Sequence, residues 1–303
     1  MALFYADHFV LPLPPGHRFP MAKYARLRER LGASGVFGAG DFRVPEAASD
    51  AEITRAHCPR YLERMRSGAV TEAEMKAIGF PWSEAMVERS RRSAGATLAA
   101  CREALCTGWS ANLAGGTHHA FRDRGEGYCV FNDAAIAARA MQVEAGLARV
   151  AVIDCDVHQG NGTASIFAGD DSVFTFSIHA AKNFPFEKTV SDLDIELPDG
   201  TGDAEYLWHL ERGLDEALER ARPQLAIYLA GADPFEGDRL GRLALTKAGL
   251  ARRDLHVLST LHARGIPVAI AMAGGYGSNL DDTVEIHAST VLCAAGLWHH
   301  RLP

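Results

Sequence analysis

Two aspartates and a histidine alternate in the stretch "DCDVHQGNG", residues 154–162, directly after the apolar run "RVAVI". Side chains at every second position of a strand share one face, so Asp154, Asp156 and His158 are expected to converge at the mouth of a sheet. Carboxylate oxygens with a neutral imidazole suit Zn²⁺, and other divalent ions less selectively. The same series also reads as a strand-end polar pair capping the next helix, and the motif alone does not choose between the two. Asp233 ends a second apolar run, "LAIYLAGAD", where by itself it reads as a turn or cap residue. An open zinc site needs three protein ligands plus a water, and Asp156, His158 and Asp233 would supply the three.

The loop "GGTHHA" carries His118 and His119. Adjacent imidazoles near candidate ligands suit acid–base work near neutral pH, and each needs a partner on its far nitrogen. Asp154 and Asn161 are the candidates. Tyr276 follows Gly274 and Gly275. It reads either as a packing tyrosine in a tight turn or as a phenol that donates a hydrogen bond to a developing oxyanion.

Such residues need a rigid frame. "ALFYA", "RVAVIDCD", "VFTFSIH", "LAIYLAGAD" and "VAIAMAGG" are short and apolar, as strands covered on both faces should be. Between them lie helical patterns. "PWSEAMVERSRRSAGATLAACREAL" has Ser83 as its N-cap, and "NDAAIAARAMQVEAG" has Gly146 as its C-cap. "GDAEYLWHLERGLDEALERARP" and "LTKAGLARRDLHVLSTLHARG" are long and amphipathic. Strand and helix alternating in this way predict an α/β protein with a parallel sheet, whose ligands bind outside the carboxyl ends of the strands. The candidate residues sit at those ends. Trp82, Trp208 and the methionines are read as core, and Arg91 and Arg92 as a solvated helix face.

The 303 residues fit one domain, read as residues 1–303, with no repeat or linker. A net charge of −7 argues against nucleic acid as the main partner. The six cysteines include no CxxC pair, so reduced thiols and a cytoplasmic location are expected. The N-terminus has no basic leader pattern, and no run is apolar enough to span a bilayer. Nothing in the pattern fixes an oligomeric state.

Taken together, "GGTHHA", "GYCVFND", "DCDVHQGNG", "FTFSIH", "LAGADPFEGDRLG" and "AGGY" resemble, in order and spacing over roughly residues 80–280, the zinc-dependent histone deacetylase family, most closely its class IV branch and bacterial relatives. The resemblance implies the three-layer arginase–deacetylase fold, with a mostly parallel sheet of about eight strands and helices on both faces. It implies Zn²⁺ on Asp156, His158 and Asp233. His118 would be oriented by Asp154, His119 would be general base and then acid beside Asn161, and Tyr276 would stabilise the oxyanion. A neutral Asn161 stabilises imidazolium less than a carboxylate would. "AGGY" has Ala273 where a third glycine is common, with a small effect expected. Gly127, Tyr128, Phe184, Leu240, Gly274 and Gly275 would form an acyl-lysine tunnel. Asp154, Asp156, His158, Ser177 and Ile178 would hold a monovalent cation, K⁺. The implied activity is hydrolysis of an Nε-acyl-lysine peptide, acetyl or longer. Small acylated amines such as acetylpolyamines are the alternative, and a di-manganese ureohydrolase on the same fold is the second. "PLPPGHRFPM" reads as lining an inner cavity or as a surface loop capping the sheet.

Overall fold

The computed structural model describes residues 1–11 and 13–299. Eight strands form one sheet: β1 (Leu3–Phe4), β2 (Phe42–Arg43), β3 (Trp109–Asn112), β4 (Val150–Asp154), β5 (Val173–Ala180), β6 (Leu193–Leu197), β7 (Leu225–Leu229) and β8 (Val268–Ala271). The order is β2-β1-β3-β8-β7-β4-β5-β6, and every pairing is parallel. The helices are α1 (Lys23–Gly32), α2 (Asp50–Ile53), α3 (Pro59–Ser67), α4 (Glu72–Ile78), α5 (Glu84–Thr107), α6 (Asp133–Ala145), α7 (Asn161–Ile166), α8 (Asp203–Ala221), α9 (Lys247–Ala263) and α10 (Leu280–His299). One parallel eight-stranded sheet with helices on both faces is the architecture that the resemblance implies.

Strand pleating builds two cores. Along β4, Val150 and Val152 pack with the alanine-rich α5 and α6, while Ala151 and Ile153 pack with α8 and α9 on the other face. β7 divides in the same way, with Leu225, Ile227 and Leu229 against Ala226 and Tyr228. Small residues on α5 and α6 let these helices lie close to the sheet. Ser83 caps α5 by accepting from the Met86 N–H, and Gly146 ends α6 in the left-handed region, both as expected.

Three strands escape the apolar pattern. β3 reads "WSAN", because Ser110 and Asn112 spend their side chains on the Ala2 and Ser93 carbonyls. β6 is a half-exposed edge, and β2 has only two residues. Trp208 corrects an expectation: it is 52% exposed. On α8 the buried stripe runs through Leu207, Leu210 and Leu214, and Trp208 sits one position off it under Arg212. Arg91 and Arg92 are not simply solvated either. They donate to the carbonyls of Ala48 and Pro45 and so tie that segment to α5. The cysteines are free, with Cys106 exposed.

His57 is fully buried, and its Nε2 accepts the Asn132 N–H at 2.8 Å, just before α6. Burial pushes its pKa from 6.5 down to about 4. The folded state therefore holds His57 neutral. Its contribution is complete above pH 6.5 and fades as pH falls from 6.5 towards 4, by up to about 3 kcal/mol. Urea midpoints should thus fall more steeply across that window for the wild type than for His57→Gln, which keeps an acceptor but does not titrate. Parallel curves would remove this role.

Candidate active site

β3, β8, β7 and β4 lie side by side, so four loops remote in sequence meet at their carboxyl ends. β4 stops at Asp154, before the rest of its motif. The convergence is therefore not strand pleating, as the alternation suggests, but a pair of side-chain-to-backbone turns. Asp154 Oδ1 accepts the Asp156 N–H at 3.0 Å, and Asp156 Oδ1 accepts the His158 N–H at 2.9 Å. "GNG" is likewise not a free turn. Gly160 precedes α7, and Asn161 is that helix's first residue. A Cβ on Gly162 would strike the Ala120 carbonyl, so glycine lets α7 approach the histidine loop.

Asp156, His158 and Asp233 are buried, and one ligand atom from each lies within 4.8 Å of the others. His158 presents Nδ1, at 2.9 Å from Asp156 Oδ1 and 3.3 Å from Asp233 Oδ2. Asp233 Oδ1 accepts the Val157 N–H at 3.0 Å, whereas its buried Oδ2 has no hydrogen-bond partner. Burial, then the Asp156 charge, raises the Asp233 pKa to about 7. Two buried carboxylates facing one imidazole, one of them with an orphaned oxygen, fit the donor set of a divalent cation such as Zn²⁺. Gly274 closes this layer: its N–H donates to Asp156 Oδ2 at 2.7 Å, and any side chain there would collide with the Asp233 carboxylate.

The His118 and His119 rings lie side by side, tilted by 47°, with centroids 4.1 Å apart. Their loop is anchored by the buried Asp133 carboxylate, which accepts the N–H groups of Gly116 and Thr117. His118 Nδ1 meets Asp154 Oδ2 at 2.6 Å. Burial alone would lower its pKa, but Asp154 and Asp156 overcome that and raise it to about 9. His119 Nδ1 meets Asn161 Oδ1 at 2.7 Å. Burial, and then the neighbouring imidazoles of His118 and His158, hold its pKa well below 6.5. One imidazole is held charged and the other neutral.

Tyr276 is buried, and its phenol keeps its proton because burial, then Asp233 and Asp156, drives its pKa well above 10. Its N–H donates to Asp238 Oδ2 at 2.6 Å, and its carbonyl accepts Arg239 Nε at 2.9 Å. Ala273 stands at φ 54°, so the missing third glycine falls at a left-handed position, where a Cβ costs about 1–2 kcal/mol. That is more than the sequence suggests.

A cavity of about 680 Å³ opens over these groups. Gly127, Tyr128, Phe184, Leu240 and Gly274 line it, together with His118, His119, Asp156, His158 and Tyr276. Gly275 does not: at φ 151° it turns away, and a Cβ there would meet Thr283. Tyr128 is itself left-handed at φ 65°, held by its N–H on the Ile78 carbonyl. Of "PLPPGHRFPM", Arg18 and Phe19 line the cavity, while Pro12 lies outside the described residues. Ser177 pairs in register with Asp154, and its hydroxyl meets His179 Nδ1 at 2.9 Å; Ile178 is buried beside it.

Three residues were not singled out from the sequence. Glu126 Oε1 accepts from Asn161 Nδ2 at 2.6 Å, so a carboxylate stands one link behind His119. Its place just before Gly127 was the available signal. Lys23 is buried and donates to the carbonyls of Ala273 and Gly275 at 3.1 and 3.4 Å. Arg253, hidden in an amphipathic helix pattern, is fully buried and donates to the Cys155 and Gly231 carbonyls at 3.2 and 2.6 Å, bracing the β4 and β7 loops from below.

The family described as histone deacetylase domain matches residues 17–291. The chain is 43% identical, over 94% of its length and 95% of the relative's, to an uncharacterised protein of Picosynechococcus. It is 30% identical to histone deacetylase 2 of Arabidopsis thaliana over 86% of this chain and 70% of that one. It is 33% identical to a histone deacetylase-like amidohydrolase of Pseudomonas aeruginosa, over 77% of this chain and 65% of that one. Among solved structures, a histone deacetylase homologue complexed with SAHA aligns over all of this chain and 85% of its own, with a TM-score of 0.82 at 24% identity.

Proposed function

The chain belongs to the histone deacetylase family, and from that premise we propose that it is a Zn²⁺-dependent hydrolase of the amide in an Nε-acyl-lysine, releasing lysine and carboxylate. One observation carries this reading: the orphaned Asp233 oxygen, Asp156 and His158 converge beneath a cavity that also presents His118, His119 and the Tyr276 phenol. Asp156, His158 and Asp233 would hold one Zn²⁺, which when bound supplies Lewis acidity to the acyl carbonyl and acidity to a water. Asp154, Asp156, His158 and Ser177, with the backbone at Ile178, would hold K⁺ beneath.

The protein's own groups then divide the work. Tyr128 and Phe184 wall the lysine stem and exclude water. Neutral His119 accepts the water proton as the nucleophile attacks, and positively charged His118 beside it favours the negative charge that develops. Tyr276 donates a hydrogen bond from its phenol to the oxyanion. A protonated histidine then delivers a proton to the departing lysine nitrogen.

Glu126 completes this reading as a positioning residue. Its carboxylate accepts a hydrogen bond from Asn161 Nδ2, so the amide oxygen faces His119. That fixes the proton on Nδ1 and leaves Nε2 free to accept. Glu126→Ala releases the amide to flip, and kcat should fall about 10-fold with KM nearly unchanged. Asn161→Asp in the native background sets two carboxylates against each other and should be slow. Adding Glu126→Ala to Asn161→Asp should restore rate relative to Asn161→Asp alone. Additive losses in that double-mutant cycle would refute the relay.

The reading as a whole is checked by initial rates on one lysine peptide carrying acetyl, octanoyl or myristoyl, with a chelator-treated control. Chelator-sensitive turnover of at least one is expected, and rates rising with chain length would mark a deep apolar tunnel. No chelator-sensitive turnover of any would defeat it.

A further inference from the structure

The chain has 31 lysines and arginines against 38 aspartates and glutamates, yet the cavity reverses that balance. Arg18, Lys76, Arg89, Lys182, Arg239 and Arg242 stand around it, and the one aspartate or glutamate in its lining is the ligand candidate Asp156. These cations come from the segment before α1, the end of α4, α5 and the loops after β5 and β7. They therefore surround the opening rather than forming one solvated helix face. Among the described residues, Arg242 pairs with Asp199 at 3.0 Å, and the other five have no carboxylate partner. Arg89 lies over the rings of Phe19 and Tyr24, and Arg239 is spent on backbone carbonyls. The nearby carboxylates Asp238 and Glu126 face other partners and form no ion pair with these side chains. Asp238 accepts the N–H groups of Leu240, Gly241 and Tyr276, and Glu126 faces Asn161.

Unpaired like charges around a cleft with low-dielectric walls repel one another and focus a positive potential into the opening. A ligand carrying negative charge beside the acyl-lysine relieves that repulsion, and a cationic one adds to it. We propose that the substrate is an acyl-lysine flanked by acidic residues, and that acylpolyamines and lysine-rich segments are selected against at the rim. This rests on the deacylase reading and narrows its substrate class.

The test uses the zinc-loaded 303-residue chain and three acyl-lysine peptides that differ only in flanking residues: Glu, Ser or Arg. The Glu peptide should exceed the Arg peptide in kcat/KM by about 10-fold at low salt, through two or three exposed ion pairs. The ratio should fall towards one as salt is raised. Lys76→Glu with Lys182→Glu should shrink or invert it. Both residues are exposed, and the ratio is read within one preparation, so loss of folded protein cancels. Chelator-sensitive turnover of the Ser peptide, with a Glu-to-Arg ratio of one or less, overturns the inference and leaves the deacylase reading standing. A ratio indifferent to salt and to both substitutions overturns it too. No chelator-sensitive turnover of any of the three overturns both. Stronger inhibition by a short oligonucleotide than by an acidic peptide of equal charge reassigns the rim to a phosphate backbone.

Discussion

Asp233→Asn should abolish both metal binding and turnover while leaving the protein folded. Asparagine keeps the oxygen that accepts the Val157 N–H, so the turn after β4 survives. It loses the negative charge on a carboxylate whose second oxygen is buried, unpartnered and aimed at the candidate metal position. Partners that only orient a metal ligand typically cost about 10–100-fold when removed, and a ligand itself should cost more. The expected result is substoichiometric zinc by elemental analysis and a rate loss beyond about 100-fold. Normal zinc content in the folded variant would exclude Asp233 as a ligand.

Tyr276→Phe should leave metal content and fold unchanged and lower kcat by about 10²–10³, with little change in KM. The backbone there is fixed independently of the phenol, by Asp238 on the N–H, Arg239 on the carbonyl, and Lys23 on the carbonyls of Ala273 and Gly275. Only the hydroxyl is lost. Since Tyr276 stays protonated across the working range, its loss should scale the pH–rate profile down without moving its limbs. A variant as fast as the wild type would remove the phenol from the mechanism.

Five strands were legible because a strand covered on both faces must be a short apolar run, and β1, β4, β5, β7 and β8 are. β3 was not, since its Ser110 and Asn112 are buried through specific hydrogen bonds that no apolar count can register. The site residues are legible through motif order, but their convergence does not follow from the alternation that marks them. Turns built by Asp154 and Asp156, rather than pleating, bring the series together, and "GNG" opens α7. Glu126 and Arg253 were hidden for a related reason. Each acts through a long-range partner, Asn161 in one case and the Gly231 carbonyl in the other, and spacing along the chain shows neither pairing, although Glu126 does stand beside Gly127. Trp208 is exposed because its angle on α8, not its hydrophobic size, decides which face it occupies.

The most direct measurement is a zinc titration. The protein is stripped with chelator, Zn²⁺ is returned in known equivalents, and deacylation of an acyl-lysine peptide is followed. With Asp156, His158 and Asp233 as a single three-ligand site, activity should climb linearly and break at about one equivalent per chain. A break at two equivalents, recovery with Mn²⁺ but not Zn²⁺, or full activity before any metal is returned would contradict the account.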